Sequence, residues 1–216
     1  MVGKFITFEG PEGAGKSTQI KLLSQYFTDH NIKHIITREP GGTQLAEQLR
    51  NIVKHCDYEK IDDRTEVLLF AAARSQHYHN VIKPNLENGV IVLCDRFIDS
   101  TYVYQGFGRG INHTALESIN KFILQDALPD LTIVINIPID ETLKRIEKRN
   151  LNNKDTDRFE NVDYNFFQLV HDGFDRIADL YKNRIIVLDG TQSILQLNQN
   201  IIQCINNRFN LLTTEA

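Results

Sequence analysis

Cysteine is scarce in this 216-residue chain, and what there is excludes two classes of protein. Cys56, Cys94 and Cys204 are odd in number and far apart, with no C-x-x-C spacing. That pattern argues against a disulfide scaffold and a thiolate zinc site, and it fits reduced thiols in a cytoplasmic protein. Long apolar runs are missing too. No stretch reaches the roughly 18 residues that a membrane-spanning helix needs, and the N-terminus enters an alternating pattern, KFITFE, with no basic stretch followed by an apolar one. The expected protein is therefore neither exported nor membrane-bound. Positive charge is also short: 24 Lys+Arg against 28 Asp+Glu leaves a net charge of -4. With no global positive field to collect nucleic acid or anionic lipid, any anion has to be held locally. Repeats, low-complexity tracts and interdomain linkers are absent, and the seven histidines show no metal-ligand spacing.

What is present is a regular alternation. Five short β-branched apolar runs, KFITFE, KHIIT, VIVLCD, LTIVINI and RIIVLD, are separated by amphipathic stretches. Runs such as 90–93 and 131–137, apolar at nearly every position, suit strands covered on both faces. Helices are expected near 16–29, 43–55, 63–87, 99–105, 112–125, 140–150, 162–182 and 193–209. The pattern predicts an α/β fold with a five-stranded parallel sheet flanked by helices in three layers. Residues 1–216 form one domain in this reading, with the polar stretch NLNNKDTD at 150–157 as a surface loop.

Residues Gly10, Pro11, Glu12, Gly13, Ala14, Gly15, Lys16 and Ser17 fit G-x-x-x-x-G-K-[ST] directly after a strand and before a helix. In that context glycine-rich backbone lets successive N–H groups converge on phosphate oxygens. Lys16 reaches the β and γ phosphates, and Ser17 can ligate Mg²⁺. The strand VIVLCD ends in Asp95, where a metal-associated carboxylate is wanted beside such a loop. Together they predict a P-loop protein of the NTP-binding class with Mg²⁺ at its phosphate site. A GTPase would carry an N-K-x-D element after a late strand, and none occurs. Arginines instead punctuate the chain at 38, 50, 74, 96, 109, 145, 149 and 158. Guanidinium forks clamp phosphates bidentately, as transfer between two anionic substrates requires, although any one arginine can equally sit on a solvated helix face.

The segments FEGPEGAGKST, TREPGGT, RTEVLLFAAAR, CDRFIDSTYVYQGFGRG and DRFE, in that order from about residue 4 to about 190, resemble the thymidylate kinase family, in its bacterial form with a basic lid. The resemblance implies ATP-dependent conversion of dTMP to dTDP by a cytoplasmic homodimer, with dTMP and ATP as its small-molecule partners. It implies that Asp95 attends the metal, and that Arg96 and Arg50 hold the acceptor phosphate. Phe97 stands where the family often has Tyr, which removes a hydroxyl. Phe70 and Arg74, one helical turn apart, are implied in stacking on thymine and donating to a base carbonyl. The other reading of the pair is a core phenylalanine beside a solvated arginine.

Gln105 can donate and accept through one amide, which suits a pyrimidine edge. Tyr104 is expected against the sugar, and Glu39, Ser100 and Thr18 are carried over from matching motif positions. Glu12 would repel ATP if it pointed inward, so it is expected to face the 3'-hydroxyl of the deoxyribose. The inner loop, Pro11 to Ala14, holds no basic residue. By resemblance the missing charge comes from a lid at about 149–160, with Arg158 on the transferred phosphoryl group, Arg149 on adenine, and Lys154 and Glu160 nearby. Two rivals remain at this level: a kinase for UMP, CMP or dUMP, and a nucleotide-switched binding module.

Overall fold

The computed structural model describes residues 3–56, 58–125, 127–150 and 164–211, with residues 149 and 150 as backbone only. Strands β1 (Phe5–Glu9), β2 (His34–Arg38), β3 (Ile91–Asp95), β4 (Leu131–Asn136) and β5 (Ile185–Asp189) form one parallel sheet in the order β2-β3-β1-β4-β5. The helices are α1 (Lys16–Asp29), α2 (Gln44–His55), α3 (Asp63–His77), α4 (Lys83–Glu87), α5 (Ile98–Thr101), α6 (His113–Leu124), α7 (Ile139–Asn150), α8 (Tyr164–Leu180) and α9 (Ile194–Phe209).

Alternation along the strands splits the core into two clusters. Ile6, Phe8, Leu93, Ile133 and Ile135 pack with Ile20, Leu23 and Phe27 of α1 and Ile201 of α9. On the other face Phe5, Val92, Cys94 and Val134 pack with Val67 of α3, Ile98 of α5, Leu116 of α6 and Phe174 of α8. Apolar surface on both sides is what makes the strands apolar at consecutive positions. Side-chain caps start several helices at the expected places. Thr43 Oγ1 accepts from Ala46 N at 3.1 Å and Asp62 Oδ1 from Arg64 N at 3.0 Å, each such cap contributing about 1 kcal/mol.

Two expected helices change register along their length. The stretch 63–87 stays helical, but a π-helical turn, Tyr78–Ile82, joins α3 to α4, and Lys83 N–H reaches back to Tyr78 O. Pro84 has no N–H to give to residue 80, and the wider turn ahead of it keeps the helix continuous. The stretch 99–105 is instead α5 followed by a π-helical turn, Tyr102–Gly108, that runs against α8. Phe166 of α8 lies so close to Gly108 that an added Cβ would meet its ring at 2.7 Å.

After β1 the chain enters α1 on one face of the sheet, and after the neighbouring β3 it enters α5 on the other. The carboxyl ends of β1 and β3 therefore border a crevice at a topological switch point, where open α/β sheets bind ligands.

Candidate active site

The loop between β1 and α1 has its glycines at left-handed or otherwise positive φ: 132° at Gly10, 73° at Gly13 and 97° at Gly15. At Gly10 a side chain is also barred sterically, because a Cβ would collide with the carbonyl oxygen of Ile135. Lys16 opens α1 and folds back over the loop, donating to Gly10 O at 3.0 Å and Pro11 O at 2.8 Å. Burial, with the nearby Arg96 guanidinium adding to it, pushes the Lys16 pKa down to about 8 against the opposing pull of Asp95, Glu12 and Glu9. The next residue, Ser17, donates its hydroxyl to Asp95 Oδ2 at 2.7 Å and so links the loop to the end of β3.

Arg96 follows Asp95 with φ of 67°, a left-handed conformation that costs a non-glycine residue on the order of 1 kcal/mol. Its N–H is held by Phe8 O at 2.9 Å. The guanidinium donates to Gly10 O (3.1 Å), Ser100 Oγ (3.0 Å) and Glu12 Oε2 (3.1 Å), and it sits 5.1 Å from the centre of the Tyr104 ring.

Beneath this corner lies Glu9, the last residue of β1, fully buried and absent from the residues expected from sequence. It accepts from Phe97 N at 2.7 Å, Ser100 N at 3.2 Å and the Ser100 hydroxyl at 2.5 Å. Burial, reinforced by Asp99, pushes its pKa up to about 7, although Arg96 and these hydrogen bonds oppose the shift. A carboxylate closing an apolar strand directly before the loop was the available signal.

A second corner forms where α3 meets the π-helical turn. Arg74, buried, donates from Nε to Glu39 Oε2 (2.8 Å) and from its two terminal nitrogens to Asn120 Oδ1 (3.0 Å), Thr101 Oγ1 (2.8 Å) and Phe97 O (3.4 Å). Glu39 Oε1 faces His77 Nδ1 at 3.0 Å, and His77 Nε2 faces Thr37 Oγ1 at 2.6 Å. His77, to which the sequence assigned no role, thus buttresses Glu39. Gln105 donates from Nε2 to Glu66 Oε1 at 2.8 Å. Arg50 reaches Pro40 O at 2.8 Å.

One cavity of about 710 Å³ joins the two corners. Of the residues expected from sequence, Glu12, Gly13, Gly15, Lys16, Ser17 and Thr18 line it from the loop side. Asp95, Arg96, Ser100 and Tyr104 line its middle, and Glu39, Arg50, Phe70, Arg74 and Gln105 its far end. Gly10 and Pro11 serve instead as carbonyl acceptors for Lys16, and the Ala14 methyl is buried in the apolar core. Arg38 and Lys54 also line the cavity, which therefore gathers six cationic side chains (Lys16, Arg38, Arg50, Lys54, Arg74, Arg96) against three carboxylates (Glu12, Glu39, Asp95). In a chain of net negative charge, this is the local positive surplus that an anionic ligand needs. Arg145 of α7, left unassigned from sequence, donates to Gly13 O at 3.0 Å. The side chain of Arg149, and Lys154, Arg158 and Glu160 altogether, lie outside the described residues.

Comparison with known proteins agrees with this geometry. The family model described as thymidylate kinase matches residues 8–201. A thymidylate kinase from Halalkalibacterium halodurans is 39% identical over 209 residues, covering 97% of this chain and 99% of its own. One from Pseudomonas fluorescens is 43% identical over 201 residues, covering 93% and 94%. The crystal structure of thymidylate kinase from Ehrlichia chaffeensis superposes with a TM-score of 0.75 at 32% identity, covering 95% of this chain and 100% of that one. With the family model spanning most of the sequence and relatives of this identity matched nearly end to end, the chain belongs to the thymidylate kinase family.

Proposed function

We infer that the protein transfers the γ-phosphoryl group of ATP to dTMP, giving ADP and dTDP for dTTP synthesis. The observation that carries this reading is the single cavity running from the phosphate-type loop, past Arg96, to the Arg74–Gln105 corner. It offers one end to a triphosphate, the other to a flat base, and a guanidinium between them. An oxygen of the dTMP phosphate bonds to the γ-phosphorus as the bond to the bridging oxygen breaks and ADP leaves. No covalent enzyme intermediate is needed, and the protein contributes position and charge.

Placement along the cavity supports the following residue roles. The loop amides and Lys16 hold the donor phosphates. Lys16 gives up its two carbonyl partners, Gly10 and Pro11, for a better acceptor. Arg96 and Arg50 hold the acceptor phosphate, with Ser100 keeping the Arg96 fork in plane. Phe70 stacks on thymine, Arg74 donates to a base carbonyl, Gln105 engages the base edge, and Tyr104 packs on the sugar. Glu12, which accepts from Arg96, faces the deoxyribose hydroxyl in this reading, and Glu39 orients Arg74. The Ser17 hydroxyl and Asp95 carboxylate form a hard oxygen donor pair that fits Mg²⁺, whose charge, shared with substrate phosphate and water, would offset the negative charge of the transferring group.

Residues 1–216 are read as one kinase domain, because both apolar clusters share a single sheet. The lid read at about 149–160 extends beyond the described residues and has no step assigned to it. Among the described residues no helix is long and apolar enough to cross a membrane. The cysteines are unpaired, which fits a cytoplasmic setting. A homodimer is the proposed working form: Leu68 of α3 and Phe122 of α6 are 59% and 88% exposed on adjoining helices. Sedimentation velocity tests that assembly. The reaction itself is tested by product analysis with purified protein and Mg-ATP. ADP and dTDP forming in equal amounts support it, and ADP formed without dTDP contradicts it.

A further inference from the structure

Gln105 lines the cavity at the base end, whereas Glu66, one of the most deeply buried charged residues of the chain, does not. Glu66 stands on α3 one helical turn before Phe70 and two before Arg74, so a single helix face carries all three. Its Oε1 lies 2.8 Å from Gln105 Nε2.

We propose that Glu66 is a specificity-determining residue that locks the Gln105 amide in one orientation, so that the cavity presents an acceptor, Oε1, to the base edge and selects pyrimidines carrying a proton on N3. The inference rests on the reading that Gln105 faces the base.

An amide side chain has two chemically opposite ends and can turn over at little cost unless a neighbour discriminates between them. The Glu66 carboxylate discriminates because the oxygen facing Gln105 accepts from the amide nitrogen. Facing Glu66, the amide must turn its nitrogen toward it and leave Oε1 on the other side. Among the described residues no hydrogen bond to Gln105 Oε1 is made by the protein. Arg74, two turns further along α3, can only donate. The corner then shows a donor and an acceptor, which complements the O4 and N3–H of thymine or uracil. Cytosine presents the reverse pattern, an amino group and a bare ring nitrogen, and meets a mismatch at both positions. Without Glu66 the amide could turn over and donate to the cytosine nitrogen, removing one of the two mismatches.

Glu66→Gln tests this, because it keeps the shape of the side chain and supplies an amide that can face either end of Gln105. The measurement is kcat/KM for dTMP and for dCMP, with thermal melting as a control for folding. The proposal predicts that the dTMP to dCMP ratio falls about tenfold or more. The change is expected in the two KM values, with kcat for dTMP largely kept. A folded Glu66→Gln enzyme with an unchanged ratio overturns it. Gln105→Leu separates this from the underlying reading. If the ratio collapses in Gln105→Leu but not in Glu66→Gln, only the Glu66 proposal fails. If Gln105→Leu leaves the ratio unchanged, Gln105 does not read the base and both fall. Should Glu66→Gln fail to fold, the exchanged pair Glu66→Gln/Gln105→Glu keeps the hydrogen bond and puts an acceptor-only group on the cavity side. The proposal predicts dTMP selectivity at least tenfold above that of Gln105→Leu, and equal ratios overturn it.

Discussion

Arg96 donates to Glu12 Oε2 at 3.1 Å, tying the only acid of the phosphate-type loop to the residue that follows β3. The pairing explains how a carboxylate can sit in a loop built for anions: it is turned toward Arg96, whose guanidinium offsets its charge. Glu12→Gln should therefore raise KM for dTMP by about tenfold, the cost of one charge-assisted hydrogen bond, while KM for ATP changes much less. Steady-state kinetics with each substrate varied in turn checks this, and an effect falling on ATP would contradict it.

The lowered pKa of Lys16 makes its charge sensitive to mild alkali. In the free enzyme the ammonium is lost as pH rises through about 8, so kcat/KM for ATP should fall above that value. Bound triphosphate favours the charged form, and kcat at saturating Mg-ATP should hold to higher pH. Rate profiles between pH 7 and pH 9.5 distinguish the two. A kcat/KM for ATP that stays flat across that range would rule the account out.

Glu9 has the opposite tendency. Its folded-state pKa of about 7 lies above the ordinary 4.5, so the native protein holds a proton that the unfolded chain has released. Stability from this group is greatest at low pH and declines as pH rises from about 4.5 to about 7, by an amount on the order of 3 kcal/mol. In Glu9→Gln that decline is removed. Relative to the unmodified protein, the variant should gain in melting temperature between pH 5 and pH 8, and a relative loss would mean that Glu9 is stabilised as the anion.

Arg74 is buried against Glu39, and truncating it removes the guanidinium from Glu39 Oε2 and leaves that carboxylate its contact with His77. Arg74→Ala should lose about 3–5 kcal/mol of stability, and adding Glu39→Gln should recover part of it. Denaturant unfolding of both variants checks the order. If Arg74→Ala is as stable as the parent, Glu39 has another source of compensation.

The apolar runs and the loop motif made the sheet, its parallel sense and one corner of the site legible, because each depends on residues close together in sequence. The Phe70–Arg74 pair was legible for the same reason, since helical spacing puts both on one face. Strand order was not legible, and neither were the two π-helical turns, which arise where the helix has to accommodate Pro84 or the close approach of α8 at Gly108. Glu9, Glu66, Asn120 and His77 have no role legible in the sequence because a buried polar residue is placed by partners far away in the chain. Glu66 meets Gln105 across 39 positions and Asn120 meets Arg74 across 46. Periodicity and local motifs carry no trace of such pairings. The sequence singles out Glu12 as the one acid of the loop, but its pairing with Arg96 becomes visible only in the fold.

The most direct test of the account is a set of initial rates with Mg-ATP against dTMP, dUMP, UMP, CMP, AMP and GMP, read as ADP production. The account predicts dTMP first, dUMP lower by roughly 10- to 200-fold for want of a methyl group, and the remaining monophosphates lower still. Preference for UMP or CMP over dTMP would contradict the base and sugar assignments, and no turnover with any of them would contradict the kinase itself.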